Sequence, residues 1–335
     1  MRDSFGAGRH LQLYHETIVV CLSVRYHRAM KRRIGIIGTG WVGASVAIST
    51  LHSGIADELL LYDAREQTAE GEAMDLSHGA AFYPPATVRK AGVDDMLDAD
   101  AVVIAAGRGG RPEESRLALL RDNAAIVAGL ARQLAGARGA LVVVTNPVDV
   151  LTRVVAAASA LPPARVIGTG TMLDTARLRQ MVGTSVQVDP RSVHAHVIGE
   201  HGDSEVVLWS SARAGGVPLR AWPGWSEGRE HDVATEVRRA AYEIIQRKGA
   251  TNHAIGLVTA NLLRCLLRDE RRVLTVSRMQ DGALGIRDVA LSLPTIVGGD
   301  GAVTVLEPDM SEEERQALAH SADVLRRAAG EIGEA

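Results

Sequence analysis

The sequence is poor in cysteine, lysine and aromatic residues, and it has no long apolar run. Cys21 and Cys265 are the only cysteines among 335 residues, which excludes a disulfide framework and predicts a reducing, cytoplasmic location. No run approaches the roughly 18 apolar residues of a membrane span. The net charge is −3 without any basic block, so neither a nucleic acid nor an anionic membrane is an expected partner. The apolar content of 46% instead predicts a soluble globular protein, large enough for two lobes.

The first thirty residues look unlike the rest of the chain. They contain four arginines and one short apolar run, residues 17–24, which no small-residue cleavage site follows cleanly. The stretch that begins at Met30 is a natural start for a cytoplasmic domain. We therefore expect residues 1–29 to be an extension that is not part of the fold.

A glycine-rich turn follows the first apolar strand and precedes a helix. Its first glycine permits a tight turn, the second lets the backbone approach a pyrophosphate, and the third lets helix and strand pack closely. A second strand ends in Asp63, twenty residues past Gly43, where a carboxylate binds the adenosine ribose and repels a 2′-phosphate. The pattern therefore predicts NAD as the cofactor. The predicted cofactor-binding residues are Gly38, Gly40, Trp41, Val42, Gly43 and Asp63.

Strands and helices alternate through the first half of the chain. Segments that are apolar throughout, such as 101–106 and 140–144, are typical of buried parallel strands. Their short connections to helices predict a doubly wound α/β fold, in which ligands bind beyond the carboxyl ends of the strands. Near the C-terminus, residues 272–275, 290–296 and 301–306 predict an antiparallel group. Helices are predicted at 44–51, 68–76, 116–134, 233–248 and 254–267.

Polar residues follow two of the buried strands. The loop at 107–116 is rich in glycine and arginine, so it can act as a lid and bring Arg116 to a carbonyl group. A solvated, charged loop is the alternative. Asn146 is held extended by the proline that follows it, and its amide either binds a substrate oxygen or caps the next helix.

Acidic, basic and imidazole side chains accumulate in the second half. Asp174 and Arg177 share one helical face among apolar neighbours, so the arginine needs a partner. That partner is either Asp174 itself or a bound carboxylate held by the guanidinium fork. His201 follows a strand and lies between Gly199 and Gly202, where an imidazole can exchange a proton near neutral pH. A surface turn with a solvated histidine is the alternative.

Seven motifs occur along the chain: GTGWVG, LYD, ESR, TNPVD, GTGTMLDTARLR, HVIGEHGDSEV and KGATNHAIG. Because of these motifs, the chain resembles the L-lactate/malate dehydrogenase family from about Arg33 to about Gly330. It is closer to the L-lactate branch of that family. The resemblance implies a Rossmann NAD-binding domain, here residues 30–168, and a mixed, partly antiparallel α/β catalytic domain, residues 169–331. It also implies hydride transfer between NADH and a 2-oxo acid in a homotetramer or homodimer.

The resemblance also implies roles for individual residues. His201 would donate a proton to the keto oxygen, with Asp174 as its carboxylate partner. Arg177 would clamp the substrate carboxylate, and Arg116 would polarise the carbonyl. The contacts implied beside the substrate and the nicotinamide are Asn146, Thr251 and Ile255.

One residue departs from the family pattern. Gly110 stands where lactate enzymes of the family usually carry glutamine and malate enzymes arginine. A glycine leaves a roomier pocket, or one filled by water or by Arg108 or Arg111 of the same loop. Pyruvate is the default substrate. A larger or unusual 2-oxo acid is the alternative, as is malate dehydrogenase chemistry if an arginine restores the charge.

A second site is implied more weakly. Arg179 and His194 match the pair that binds fructose 1,6-bisphosphate between subunits in bacterial allosteric lactate dehydrogenases. Two cationic groups can hold a phosphate across an interface. Local packing or pairing of both side chains is the alternative.

Two other classes of function compete with a dehydrogenase. Strand alternation would place His194 and His196 on one face, with His201 and Asp203 nearby, as in a metal site. A cofactor-binding sensor that has lost turnover is the other alternative.

Overall fold

The computed structural model describes residues 31–109 and 113–332. Four of the expectations above lie outside this description: the extension 1–29, Gly110, Arg111 and the side chain of Arg116. Within the two ranges, none of the helices combines the length and the hydropathy that crossing a membrane requires.

Six parallel strands form the first part of one large sheet. They are β1 (Arg33–Ile37), β2 (Glu58–Tyr62), β3 (Thr87–Lys90), β4 (Ala101–Ile104), β5 (Ala140–Val143) and β6 (Val166–Gly168). Their spatial order is β3-β2-β1-β4-β5-β6, so the chain starts in the middle of the sheet and winds outward in both directions. This is the doubly wound Rossmann order, and it confirms the predicted fold class.

Eight helices of the described residues pack on this sheet and beside it. They are α1 (Trp41–Ser53), α2 (Glu66–His78), α3 (Arg116–Gln133), α4 (Val148–Ser159), α5 (Met172–Val186), α6 (Glu227–Lys248), α7 (His253–Leu267) and α8 (Glu312–Ile332). Helix α6 begins before the predicted residue 233, because the Ser226 hydroxyl caps it by accepting a hydrogen bond from the Arg229 N–H at 3.3 Å.

Both faces of the parallel strands other than the exposed edge strand β3 are buried, which explains their largely apolar sequence. Ile34 and Ile36 of β1 belong to a cluster that also contains Leu262 of α7. Ile37 belongs to a second cluster with Val127 of α3. All five side chains are completely buried. The carboxyl ends of the strands are therefore held in fixed positions between two packed layers.

Three antiparallel strands extend the same sheet beyond β6. They are β12 (Arg272–Asp281), β13 (Arg287–Gly298) and β14 (Gly301–Val305), and Ser277 of β12 pairs with Gly168 of β6. The result is one nine-stranded sheet. The predicted antiparallel group is thus present, but β12 and β13 are longer than predicted. Most of β13 is buried, so its sequence lacks the alternation that would mark its ends.

The strand predicted around His194 is interrupted. Val193–His194 (β7) pairs with Arg213–Ala214 (β10), which in turn pairs with Val217–Pro218 (β11), whereas Val197–Ile198 (β8) pairs with Val206–Val207 (β9). The Arg179 Nε donates to the Ala195 carbonyl at 3.0 Å between the two strands. His194 and His196 therefore do not alternate on one continuous strand as the sequence predicted.

Candidate active site

The glycine-rich turn connects β1 to α1 and is shaped by three glycines. Gly38 has a φ of +92°, and a Cβ there would lie 2.6 Å from the Ala106 nitrogen. A Cβ on Gly43 would lie 1.8 Å from the Gly38 carbonyl oxygen. Around Gly40, by contrast, no described heavy atom lies within 4 Å of a Cβ position. Gly38 and Gly43 are therefore needed for packing, whereas Gly40 leaves the space in which a pyrophosphate can approach the backbone.

Asp63 lies at the end of β2, beside this turn. Its Oδ2 accepts a hydrogen bond from the Thr39 N–H at 2.9 Å, and its Oδ1 accepts one from the Arg65 N–H at 2.9 Å. The Thr39 hydroxyl also donates to Oδ2, at 3.3 Å. A carboxylate has about four acceptor sites, so Asp63 keeps capacity for one ribose hydroxyl. With Gly38 and Gly40 it lines a cavity of about 580 Å³, called here the dinucleotide cavity. These residues fit the adenosine half of NAD.

A second cavity of about 410 Å³ contains most of the predicted substrate residues, and we call it the substrate cavity. It shares three residues with the dinucleotide cavity, which are Ala105, Gly107 and Arg108. Its lining includes Val42, Asn146, Arg177, His201, Thr251 and Ile255. The structure thus brings together residues from five separate segments of the sequence, at the carboxyl end of the parallel strands.

His201, Asp174 and Arg177 form one chain of hydrogen bonds. The His201 Nδ1 lies 2.6 Å from the Asp174 Oδ2, and the Arg177 NH1 donates to the Asp174 Oδ1 at 2.8 Å. Asp174 and Arg177 lie one turn apart on α5, so helix geometry alone aligns them. The side chains of Asp174, Arg177 and His201 are 4%, 11% and 23% exposed, so solvent screens this chain only weakly.

The charges of this chain shift the pKa values of its members. Burial lowers the pKa of His201, but the charge and hydrogen bond of Asp174 outweigh it and raise that pKa to about 9. Burial raises the pKa of Asp174, but His201 and Arg177 outweigh it, so the net shift is downward. Near neutral pH the imidazole is therefore protonated and Asp174 is ionised. Such a pair can hold a proton ready for transfer.

A further acid supports His201 and was not singled out in the sequence. Asp149 on α4 is 2% exposed, and its Oδ2 accepts a hydrogen bond from the His201 backbone N–H at 2.7 Å. Burial raises the pKa of Asp149 to about 6. Among the residues described, its Oδ1 has no hydrogen-bond partner. The available signal was a buried aspartate between Val148 and Val150 in the first turn of a mostly apolar helix.

Glu205 is a second buried acid beside the site. It is 6% exposed, and burial raises its pKa to about 8, with the charge of Asp174 adding to the effect. Opposing charges on Arg238, His201 and Arg177 reduce that shift. Glu205 lies four residues after His201 and directly before β9. Glu205 is therefore a further titratable group whose charge interacts with all three members of the hydrogen-bonded chain.

Arg179 and His194 lie apart from the substrate cavity. Arg179 lines a separate cavity of about 240 Å³ with Arg191, His196 and Arg272. Burial lowers the pKa of Arg179, and the charge of Arg272 lowers it further. His194 is exposed on β7, opposite Arg213.

The metal-site interpretation finds no support in the geometry. His194 is the last residue of β7, whereas His196 lies in the break between β7 and β8, and burial lowers the pKa of His196 to about 4. Throughout the described ranges, no three His, Cys, Asp or Glu side chains converge as metal ligands would.

Comparison with protein families matches two consecutive segments of the chain. Residues 32–168 match the NAD binding domain of lactate/malate dehydrogenase. Residues 171–334 match the alpha/beta C-terminal domain of lactate/malate dehydrogenase. Together the two matches cover most of the sequence.

Similar proteins extend over nearly their full lengths. The chain is 46% identical to an L-lactate dehydrogenase from Salinibacter ruber over 303 residues, which are 88% of this chain and 96% of that protein. It is 44% identical to an L-lactate dehydrogenase from Thermus aquaticus over 309 residues, which are 90% of this chain and 99% of that protein. A crystal structure of the minor L-lactate dehydrogenase from Enterococcus mundtii, in a ligands-bound form, superposes with a TM-score of 0.88 at 37% identity and covers 90% of this chain and 98% of its own.

Proposed function

The chain belongs to the lactate/malate dehydrogenase family, and on this premise we propose that it is an NAD-dependent L-2-hydroxy acid dehydrogenase of the L-lactate type. Its substrate in the reductive direction is a 2-oxo acid, by default pyruvate. One observation carries the proposal: His201 and Arg177, which are joined through hydrogen bonds to Asp174, line a cavity that adjoins the dinucleotide cavity.

The residues at the end of β1 and β2 would hold the cofactor. Gly38, Gly40 and Gly43 would bring the backbone to the pyrophosphate, where the N-terminus of α1 favours an anion. Asp63 would bind the adenosine ribose, and Trp41 and Val42 would line the approach. When bound, NADH supplies the hydride.

Arg177 would bind the substrate carboxylate. Its NH1 is held by Asp174 at 2.8 Å, so the guanidinium plane is fixed before substrate arrives. The remaining N–H donors of the fork match the two oxygens of a carboxylate. Asn146 and Thr251 lie in the same cavity and would contact the substrate, while Ile255 would pack beside the nicotinamide.

His201 would give the proton that completes the reduction. Its Nδ1 is bound to Asp174, which leaves Nε2 as the atom that donates to the keto oxygen. Negative charge develops on that oxygen as the carbonyl carbon is reduced, and a nearby imidazolium stabilises it. Arg116 would add a second positive charge at the oxygen. The same groups act in reverse when a hydroxy acid is oxidised.

Four further assignments belong to this proposal. We expect a homotetramer or homodimer, in a cytoplasmic location, with residues 30–168 and 169–331 as cofactor and catalytic domains. Arg179 and His194 would bind fructose 1,6-bisphosphate as an effector. Saturating bisphosphate should then lower the KM for the 2-oxo acid, and an unchanged KM would remove the effector from the proposal.

The test is NADH oxidation by the purified chain across a panel of 2-oxo acids: pyruvate, oxaloacetate, and branched and aromatic analogues. We expect pyruvate to have the highest kcat/KM. A branched or aromatic acid in first place would instead indicate that Gly110 opens the pocket to larger substrates. NAD binding without turnover of any 2-oxo acid would leave only the sensor interpretation.

A further inference from the structure

Glu205 is a buried acid that lies between the catalytic turn and two helices. It comes directly before β9, where side chains alternate between the two faces of the chain. Val207, two residues further on, belongs to an apolar cluster with Leu178 of α5 and Val237 of α6. The Glu205 side chain therefore points toward these two helices, and it is buried there.

Charged groups surround Glu205 from both helices and from the turn before it. They are Asp174 and Arg177 on α5, Arg238 on α6 and His201 in the preceding turn. Among the residues described, no group donates a hydrogen bond to the Glu205 Oε1, and the buried Arg238 Nε also has no partner. Glu205 is therefore connected to the active site by charge.

This position is unfavourable for a carboxylate. Burial raises the pKa of Glu205 to about 8, so the group keeps its proton near neutral pH. Glu314 on α8 is almost as buried, but it accepts hydrogen bonds from the Ser210 N–H at 3.0 Å and the Ser311 N–H at 2.8 Å. Within the described ranges, the Glu205 Oε1 has no such compensation. An uncompensated buried acid beside a proton donor is typical of a functional site.

Glu205 and His201 affect each other's pKa equally, because the interaction of two charges is mutual. The charge of His201 lowers the pKa of Glu205, so an ionised Glu205 raises the pKa of His201. Burial lowers the pKa of His201, but Asp174 outweighs it and the pKa is about 9. Asp149 on α4 also raises this pKa, whereas Arg177 lowers it. Glu205 ionises near pH 8, so its charge is in place before His201 loses its proton.

From this arrangement we infer that Glu205 is a positioning residue: its carboxylate, formed in alkaline solution, holds the proton on His201 and extends the reduction of 2-oxo acids to higher pH. The inference rests on the proposed function, in which His201 supplies the proton. Glu205 acts through His201 alone and does not line the substrate cavity.

The test is Glu205→Gln in the purified full-length chain, because the amide keeps the shape of the side chain and removes its charge. The kcat/KM for pyruvate at saturating NADH is measured from about pH 6 to about pH 10. We expect the midpoint of the basic limb to fall by about one pH unit. Glu205→Met removes the charge together with the polar group, and it should shift the midpoint by the same amount.

A second measurement follows the His201 proton without using turnover. Diethyl pyrocarbonate modifies only the neutral imidazole, so the pH dependence of His201 modification, followed by mass spectrometry, reports its protonation. The midpoint of this modification curve should also fall by about one pH unit in Glu205→Gln. An unchanged midpoint in both measurements would overturn the inference.

The matched control is Glu314→Gln, which removes a carboxylate of similar burial from a site remote from His201. It should leave both midpoints unchanged and should lower the melting temperature, because an amide nitrogen cannot accept the bonds from Ser210 and Ser311. A shift of the basic limb in Glu314→Gln as large as that in Glu205→Gln would mean that loss of stability moves the limb, and it would refute the role of Glu205.

The melting temperature of Glu205→Gln should change in the opposite direction. In the unfolded chain the Glu205 carboxyl ionises near its ordinary pKa of 4.5, but in the folded chain it ionises near 8. Raising the pH between these values therefore favours the unfolded parent, and the variant escapes this loss. Glu205→Gln should melt at a higher temperature than the parent at pH 8, with a smaller gain at pH 5.

The outcomes distinguish this inference from the proposed function. A parent enzyme that reduces no 2-oxo acid would overturn the proposed function, while the modification curve of His201 would still show whether Glu205 holds its proton. Active Glu205→Gln with the basic limb of the parent would overturn the inference and leave the proposed function in place.

Discussion

The two sides of the substrate cavity hold their arginines in contrasting surroundings. On one side, Arg177 and Asp174 have side chains that are 11% and 4% exposed. On the other, Arg108 is 26% exposed and its partner Asp122 is 60% exposed. Each is a guanidinium bound to a carboxylate at hydrogen-bond distance, yet the first pair lies inside the protein and the second lies at its surface.

This difference in burial predicts that the two pairs tolerate substitution unequally. Breaking a buried pair leaves an uncompensated charge and typically costs about 3–5 kcal/mol, whereas an exposed pair contributes about 0–1 kcal/mol. The buried side can therefore fix the proton donor and the carboxylate clamp with little tolerance for change. The exposed side can change its charge at little cost in stability.

The largest expected effect is on the buried side, in Arg177→Lys. An ammonium keeps the charge but cannot form two parallel bonds to a carboxylate and also bind Asp174. We expect the kcat/KM for pyruvate to fall on the order of a thousandfold, as for the loss of a buried charge-assisted contact. Steady-state kinetics at saturating NADH measure it.

The matched control for this variant is Arg326→Lys. Arg326 also pairs with an aspartate at three residues' spacing, Asp323 at 2.8 Å, but on the exposed helix α8. It should leave kcat/KM unchanged. Near-normal turnover in Arg177→Lys would contradict the carboxylate assignment and would remove the contrast between the two sides.

The next largest effect is expected from Asp174→Asn, measured as a pH profile of pyruvate reduction. The reaction needs protonated His201, so activity of the parent enzyme should be lost as the pH rises through about 9. Without the Asp174 charge, burial holds the His201 pKa at or below its ordinary value of about 6.5. At pH 8 the protonated fraction, and with it kcat/KM, should fall about thirtyfold. A basic limb that stays near pH 9 would show that another group supplies the proton.

Much of the fold could be predicted because its strands are buried on both faces. Continuous apolar stretches such as β4 and β5 mark their own positions, and the glycine spacing marks the turn between β1 and α1. Element ends were less predictable. The start of α6 depends on the Ser226 cap, and the break between β7 and β8 depends on Arg179, which is remote in sequence.

The site could be predicted only as far as local spacing and family resemblance reach. Asp174 and Arg177 share a helix face, so their contact follows from sequence alone. The bond from the His201 N–H to Asp149 joins residues 52 positions apart, and no local pattern specifies it. Likewise, the sequence predicts Arg108 as one cation that can fill the pocket. Its pairing with Asp122 depends on which turn of α3 faces the loop.

The smallest effect is expected on the exposed side, in Ser115→Ala. The Ser115 hydroxyl caps α3 by accepting a hydrogen bond from the Ala118 N–H at 3.1 Å, so its loss should lower the free energy of unfolding by about 1 kcal/mol. Ser226→Ala, which removes the same kind of cap from α6, should cost a similar amount in denaturant titrations. Pyruvate kcat/KM should change little in Ser115→Ala, because Asn123 holds the Arg108 backbone independently of the cap. A loss of activity approaching that of Arg177→Lys would mean that the first turn of α3 is coupled to the chemistry as tightly as the buried side. Exposure would then no longer distinguish the two halves of the cavity.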